Sequence, residues 1–204
     1  MKKTIIFALA TVLILPISVS ARRDSALQEK INKLGDEPVT TFPIPVTFDV
    51  SVGDFTDTWG EARSNGRTHE GTDIIVPRGS FISSPTDAVV TRIEETGRGG
   101  IVVWTANPGG EKFYYAHLDS VFAELEIGDE LEPGDLIGFV GNTGNASGGA
   151  PHLHFGVYDD DYNASNPFAR MDHEFTNDQR VRTLMQYLLY LIDLLGLDPD
   201  DFDL

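Results

Sequence analysis

The spacing of apolar positions separates the chain into a short N-terminal helical pattern, a body of short alternating runs and a C-terminal helical pattern. Residues 24–34 predict a short helix that ends before Gly35. The body contains runs of β-branched and aromatic residues between turn residues, which predict strands. The predicted strands are residues 73–76, 88–93, 101–105, 112–116, 136–140 and 152–158. Because no connection between them has room for a crossover helix, we expect a mainly antiparallel sheet.

The C-terminal part predicts an amphipathic helix from Asn177 to Leu195, with Gly196 placed to end it. Its apolar positions at helical spacing are Val181, Leu184, Met185, Leu188, Ile192 and Leu195. We expect this face to pack on the sheet. A helix that binds a partner or a membrane surface is the alternative, although the acidic residues that follow would be repelled by anionic lipid.

The first 21 residues have the features of a secretory signal peptide. Lys2 and Lys3 give a positive start, the stretch that follows is apolar but short for a spanning helix, and Val19-Ser20-Ala21 is a small-residue cleavage site. We therefore expect cleavage after Ala21 and a periplasmic or secreted product with no stable membrane anchor. An uncleaved anchor is the alternative.

Composition narrows the possible chemistry. The chain has 204 residues, with 32 acidic against 15 basic residues and no cysteine, and its net charge is −17. Loss of the two lysines of the signal would make it −19. The length suits one domain, which we expect to be monomeric. The missing cysteine excludes disulfides, thiol nucleophiles and cysteine-based metal sites, and the acidity argues against a nucleic-acid partner.

Four of the five histidines fall into three compact motifs. His152 and His154 alternate along a predicted strand, so both imidazoles should lie on one face. His69 and Asp73 flank a turn, and an imidazole with a carboxylate suits zinc. His117 directly follows the predicted strand of residues 112–116. Each motif alone could be structural. A catalytic zinc needs three protein ligands, which could be His69, Asp73 and either His152 or His154. Two histidines then remain for acid–base chemistry.

His69-x-Gly71-x-Asp73 followed by Pro151-His152-Leu153-His154-Phe155 resembles the lysostaphin/LytM-type zinc metalloendopeptidases. The similarity runs over about residues 55–168. It also includes Trp59-Gly60-Glu61-Ala62-Arg63, Pro77-Arg78-Gly79, Tyr115-Ala116-His117-Leu118, Gly128-Asp129, Pro133-Gly134-Asp135-Leu136-Ile137-Gly138 and Gly141-Asn142-Thr143-Gly144. These motifs stand in the family's order.

The resemblance implies hydrolysis of peptide cross-links in peptidoglycan, with one Zn²⁺ per chain held by His69, Asp73 and His154. Zinc-activated water would be the nucleophile. His152 would act as general base or transition-state stabiliser. His117 would be its partner, which stabilises the oxyanion or protonates the leaving amine.

The fold class expected from the resemblance and the helical patterns is mainly β. It has an antiparallel sheet core of distorted sandwich or barrel-sandwich type, a short N-terminal helix and a C-terminal amphipathic helix. The domain assignment is a signal peptide at residues 1–21, an N-terminal segment at 22–46, the metallopeptidase domain at 47–170, and a C-terminal helix with acidic tail at 171–204.

Residues around these motifs leave some questions open. The loop of residues 145–150 is longer than is usual in the family and is expected to wall the substrate groove, so the bond preference stays open. Arg63 and Arg67 are interpreted as solvated surface charge, with contact to substrate carboxylates as the alternative. His173 matches no motif and is interpreted as a surface residue.

Two other classes of protein are compatible with parts of the sequence. One is a non-catalytic regulator of the same fold that binds cell wall or activates an amidase, although such relatives lose zinc ligands that this chain keeps. The other is a carrier domain, suggested by residues 131–138. A carrier needs a lysine at a hairpin tip, and the only lysine after the N-terminal segment, Lys112, stands beside a predicted strand.

Overall fold

A computed structural model describes residues 19–202 of the chain. Most of the predicted signal peptide, residues 1–18, lies outside the described residues. The helices are α1 (Val19–Ile31) and α2 (Asn177–Leu194). The strands are β1 (Phe42–Pro43), β2 (Thr72–Ile75), β3 (Phe81–Ser83), β4 (Ala88–Thr96), β5 (Gly100–Ala106), β6 (Lys112–Val121), β7 (Glu130–Leu131), β8 (Leu136–Val140), β9 (His152–Tyr158), β10 (Ala164–Ser165) and β11 (Met171–His173).

Nine of these strands form one curled antiparallel sheet, which confirms the predicted mainly β, antiparallel fold. The order β10-β9-β6-β5-β4-β7 forms its main path, β2 adds to β9, and β8 joins β6 to β3. The remaining two strands, β1 and β11, pair with each other in parallel. All six strands predicted from the sequence are present within a few residues of their expected bounds.

Strand β6 changes partner along its length. Residues up to Ala116 pair with β9, whereas those from Leu118 onward pair with β8. Between them, His117 has a φ of 65°, in the left-handed region that non-glycine residues adopt rarely. The His117 amide leaves the ladder and donates to the Gly99 carbonyl at 2.8 Å. The bend in β6 therefore lies at one of the predicted site residues.

The alternation predicted for β9 is present. Leu153, Phe155 and Val157 are fully buried on one face, while His152 and His154 are half-buried on the other. Phe113 packs edge-on against Phe155, with ring centroids 5.3 Å apart. The core also includes Phe42, Ile44 and Met171, outside the predicted 47–170 range. The segments on both sides of the predicted domain are thus packed into its core.

Helix α1 ends at Ile31, three residues before the end of the predicted segment, and packs against β4. Its Lys30 ammonium donates to the Gly128 carbonyl at 2.6 Å. In the part of the chain that the structure describes, neither helix is both long and apolar enough to cross a membrane.

Helix α2 begins at a capping box. Thr176 Oγ1 accepts from the Gln179 amide at 3.3 Å, and the Gln179 side chain accepts from the Thr176 amide at 2.9 Å. At the other end Gly196 has a φ of 66° and its amide donates to the Asp193 carbonyl. The helix therefore has nearly the bounds that the sequence predicts.

The face on which α2 packs differs from the prediction. Val181, Leu184 and Leu195 were expected in the core but are 55%, 46% and 69% exposed. Of the six predicted positions, Ile192 is the one that is buried. The face towards the sheet carries Thr183, Gln186, Tyr187 and Tyr190.

Hydrogen bonds to backbone groups of the sheet explain which face of α2 packs against it. Thr183 Oγ1 donates to the Gly134 carbonyl at 2.6 Å, and the Gln186 side-chain oxygen accepts from the Leu136 amide at 2.7 Å. Tyr187 packs edge-on against Phe81 and Phe139. Polar side chains of α2 thus satisfy the turn before β8, which an apolar face could not do.

Candidate metal centre

A small hairpin before β2 positions His69. The His69 amide donates to the Glu61 carbonyl and the Arg63 amide donates to the Arg67 carbonyl, each at 2.9 Å. Asn65, at the tip, has a φ of 61°. The hairpin therefore holds His69, Arg63 and Arg67 together at one edge of the sheet.

Asp73 and His154 are brought together by the pairing of β2 with β9. The two residues are directly opposite each other in the ladder, and such cross-strand partners share a face of the sheet. Gly71 leaves room for the imidazole, because a Cβ there would come within 2.7 Å of His154 Cε1 and 2.6 Å of the Phe155 carbonyl oxygen. The His-x-Gly-x-Asp motif therefore needs glycine at this position, because any side chain would clash with His154.

Three electron-pair donors converge at this point. His69 Nε2 and His154 Nδ1 each lie 3.0 Å from Asp73 Oδ1, and the two nitrogens are 2.8 Å apart. One ligand atom from each residue lies within 4.8 Å of the others, as a metal site requires. Two imidazoles and a carboxylate form a donor set that zinc accepts, with a coordination position left for a reactant.

Neighbouring groups orient these candidate ligand atoms and favour the protonation states that can bind a metal. His69 Nδ1 donates to the Thr58 carbonyl at 2.7 Å, so the lone pair is on Nε2. Asp73 Oδ2 lies 2.6 Å from the Arg63 guanidinium. Burial would raise the pKa of Asp73, but hydrogen bonds and charge interactions with His154 and His69 outweigh it and hold that pKa well below its usual range. Burial lowers the pKa of His154. The residues present thus fit a zinc ion.

His152 and His117 lie beside the three candidate ligands and point the same ring atom into the cleft. His152 Nδ1 donates to the Ala150 carbonyl at 3.0 Å, and His117 Nδ1 donates to the Thr143 carbonyl at 2.9 Å. Because a carbonyl oxygen only accepts, the Nε2 atom of each neutral ring carries a lone pair. The ring centroids are 4.9 Å apart, and His152 Nε2 is 3.9 Å from Asp73 Oδ1.

Burial lowers the pKa of His117 to about 4, and the neighbouring His152 and His154 add to this effect. The ring is therefore neutral near pH 7. It can accept a proton in the cleft but cannot donate one from Nε2 until it has taken one up.

Two loops fix the rim of the cleft beside His117. The Thr143 hydroxyl donates to the Leu118 carbonyl at 2.7 Å and accepts from the Ile101 amide at 3.0 Å. The Asn145 amide donates to the Arg98 carbonyl at 2.9 Å, which joins the loop to the turn between β4 and β5. Asn145 and Ala146 line the cleft, so the first part of the long 145–150 loop does wall it.

The cleft has an aromatic floor and a volume of about 570 Å³. Trp104 packs against Tyr114 and Tyr158, with ring centroids 4.4 and 5.3 Å apart, and Tyr114 lies 5.8 Å from the His154 ring. The floor therefore extends to His154, one of the candidate metal ligands.

Arg63 is the residue that sequence reasoning placed wrongly. It was interpreted as solvated surface charge, but its guanidinium is part-buried and forms an ion pair with Asp73. The sequence did carry a signal for this role, because Arg63 shortly precedes the candidate ligand His69 in a chain that has few basic residues. His173 is exposed beside Asp172 and lies outside the cleft.

Comparison with known proteins gives concordant matches. The model of Peptidase family M23 matches residues 67–167. Over 126 residues the chain is 36% identical to the L-Ala–D-Glu endopeptidase of Bacillus subtilis, which covers 58% of this chain and 38% of that protein. It is 33% identical over 129 residues to the DD-carboxypeptidase/endopeptidase Mpg of Neisseria meningitidis, covering 63% of this chain and 27% of Mpg. The matched part is thus well under half of each curated relative.

Among solved structures, the chain is similar to a putative glycyl-glycine endopeptidase LytM from Ruminococcus gnavus. The sequences are 30% identical, the TM-score is 0.55, and the alignment covers 76% of this chain and 72% of that one. The similarity therefore extends to most of both chains.

Proposed function

The chain belongs to peptidase family M23, and on this premise we propose that it is an exported, zinc-dependent endopeptidase that hydrolyses peptide cross-links of peptidoglycan. The observation that carries the proposal is the convergence of His69 Nε2, Asp73 Oδ1 and His154 Nδ1 beside two further imidazoles. A non-catalytic regulator would have no need of this complete set. The names of the relatives, an L-Ala–D-Glu endopeptidase and a DD-carboxypeptidase/endopeptidase, describe peptidases and support assignment to that class of enzyme.

His69, Asp73 and His154 would hold the zinc ion. When bound, zinc lowers the pKa of water and polarises the carbonyl of the scissile bond. Thr58 and Arg63 keep two of the ligands in place, since one accepts from His69 Nδ1 and the other pairs with Asp73 Oδ2. The protein thus supplies an oriented donor set rather than three flexible side chains.

His152 is the proposed general base. Its Nε2 faces the ligand cluster and is free to accept a proton from water, while its Nδ1–H stays on the Ala150 carbonyl. That proton can then return to the nitrogen of the leaving amine, so the step is balanced without another reactant.

His117 is the proposed partner of His152. Once its Nε2 has taken up the second proton of the attacking water, it would stabilise the oxyanion or protonate the leaving amine. The Thr143 carbonyl orients the ring for either task by accepting from Nδ1. Both imidazoles therefore act through Nε2.

Digestion of purified peptidoglycan tests the proposed activity. We expect the zinc-loaded protein to release new amino groups and un-cross-linked muropeptides, measured by chromatography with mass spectrometry, and to release no new reducing sugar ends. His154→Ala should lose both zinc, measured as metal per mole of protein, and peptide release.

His173→Ala is the matched control, because His173 is exposed and lies outside the cleft. It should keep zinc and activity. Intact cross-links after treatment with a zinc-loaded, folded wild-type protein would contradict the proposal, and release of sugar ends alone would assign a different reaction.

Export is proposed from the N-terminal pattern. Cleavage after Ala21 would remove the first three residues of α1 and leave Arg22 as the new terminus. Amino-terminal sequencing of the protein recovered from the periplasm or the medium checks this, and a product that keeps Met1 would contradict it.

A further inference from the structure

Among the side chains that the structure describes, all but two arginines are paired with carboxylates. Eight arginines fall among residues 24–200, where side chains are described. Six of them form ion pairs with carboxylates: Arg63, Arg78, Arg92, Arg170, Arg180 and Arg182. The other two, Arg67 and Arg98, have no carboxylate within 4.0 Å among the described residues, and both line the cleft.

The exceptions are notable because acids outnumber bases by 32 to 15. An exposed guanidinium in such a chain would be expected to find a carboxylate. In the cleft, Arg63 already pairs with Asp73. The lining contains one further acid, Glu70, and two further cations, Arg67 and Arg98. The cleft is therefore locally cationic, although the net charge of the whole chain is −17.

The two arginines stand on separate loops that the fold holds in place. Arg67 is in the hairpin that carries His69, and its side chain contacts the Ser64 hydroxyl at 3.4 Å. Arg98 is in the turn between β4 and β5, where its carbonyl accepts from Asn145. Burial and the Glu94 carboxylate raise the pKa of the Tyr114 hydroxyl, and the Arg98 cation opposes that rise. Arg98 therefore lies beside the aromatic floor.

We propose that Arg67 and Arg98 bind carboxylates of the substrate, so that the cleft selects an acidic peptide over a neutral one such as a glycine chain. A guanidinium presents paired N–H donors that match a carboxylate, and it stays charged at any physiological pH. This inference rests on the proposed function, since it names the class of peptide that the same site takes.

The test compares two forms of one substrate. Cross-linked muropeptides with free side-chain carboxylates are prepared beside the same muropeptides with those carboxylates amidated, and kcat and KM are measured with the zinc-loaded full chain. We expect amidation to lower kcat/KM at least about tenfold, because charge-assisted hydrogen bonds to two arginines are lost.

Arg67→Gln and Arg98→Gln should each raise KM for the free-carboxylate substrate about tenfold while kcat changes less than about twofold. On the amidated substrate both variants should match the wild type. Arg182→Gln is the matched control, because Arg182 is on α2, pairs with Glu132 and lies outside the cleft lining. Its KM should not change.

The outcomes separate this inference from the proposed function. Equal kcat/KM on both substrate forms would overturn the inference and leave the peptidase intact. If neither form is cleaved, the proposed function fails, and binding of the free-carboxylate peptide, measured by calorimetry, decides the inference. The Arg67→Gln/Arg98→Gln protein should then bind at least about tenfold more weakly than wild type, and equal affinity would overturn the proposal.

Discussion

His117 shows how a single residue links the fold to the site. Its positive φ allows β6 to leave β9 and join β8, and the same bend turns the imidazole towards His152. Strained backbone of this kind costs energy and persists where the surroundings determine it. Here the amide bond to Gly99 and the ring bond to Thr143 hold the residue.

Replacing His117 by Asn tests its role at this scale. Asn tolerates a positive φ better than most residues, so the bend in β6 should survive. We expect zinc content to stay at the wild-type level, because His117 is not one of the ligands, and turnover of peptidoglycan to fall about 100-fold or more. A variant that keeps both zinc and full turnover would remove His117 from the chemistry. His173→Asn serves as the control.

At the scale of elements, α2 has the ends that the sequence predicts but packs a different face from the one that apolar spacing predicts. The capping box and Gly196 set the ends of the helix, and both are local signals. Apolar spacing selected the stripe through Val181 and Leu184, yet the buried side carries Thr183. The turn before β8 presents backbone groups to this side, and only polar side chains can satisfy them.

Thr183→Val tests this account of α2. The substitution keeps shape but removes the donor to the Gly134 carbonyl, so the free energy of unfolding should fall by about 1–3 kcal/mol. Val181→Thr makes the inverse change on the exposed face and should shift it by less than about 0.5 kcal/mol. Denaturant titration measures both. A larger loss from Val181→Thr would show that the apolar stripe is the packed one.

At the scale of the whole molecule, the proposed metal ligands are carried by a sheet that has its own core. Phe113, Tyr115 and Phe155 are fully buried behind the strands that hold His154 and Asp73. The fold therefore does not need a metal to bury its apolar surface, unlike small domains that fold only around zinc.

Removal of zinc should accordingly leave the protein folded but less stable. We expect the far-ultraviolet circular dichroism of the chelated protein to be retained. Zinc at about 100 times its Kd should add about 2.7 kcal/mol, which raises Tm by about 5–10 °C in a chain of this size. His154→Ala should show no such zinc-dependent shift. An unfolded metal-free protein would contradict this account.

The sequence by itself determined the features that follow from local geometry. Side chains alternate along any strand, so His152 and His154 had to share a face, and the six main strands and the ends of α2 were predictable from patterning and capping. The resemblance to lysostaphin/LytM-type enzymes added the ligand set, because family motifs carry information that spacing alone does not.

Only the tertiary structure decided how distant segments meet. Asp73 and His154 are 81 residues apart, and the register of β2 on β9 places their ligand atoms together. Likewise the ion pair of Arg63 with Asp73, the packed face of α2 and the lack of a described carboxylate beside Arg67 and Arg98 depend on which groups lie opposite one another in space. A pattern along one segment cannot specify these contacts, because half of each is supplied by another part of the chain.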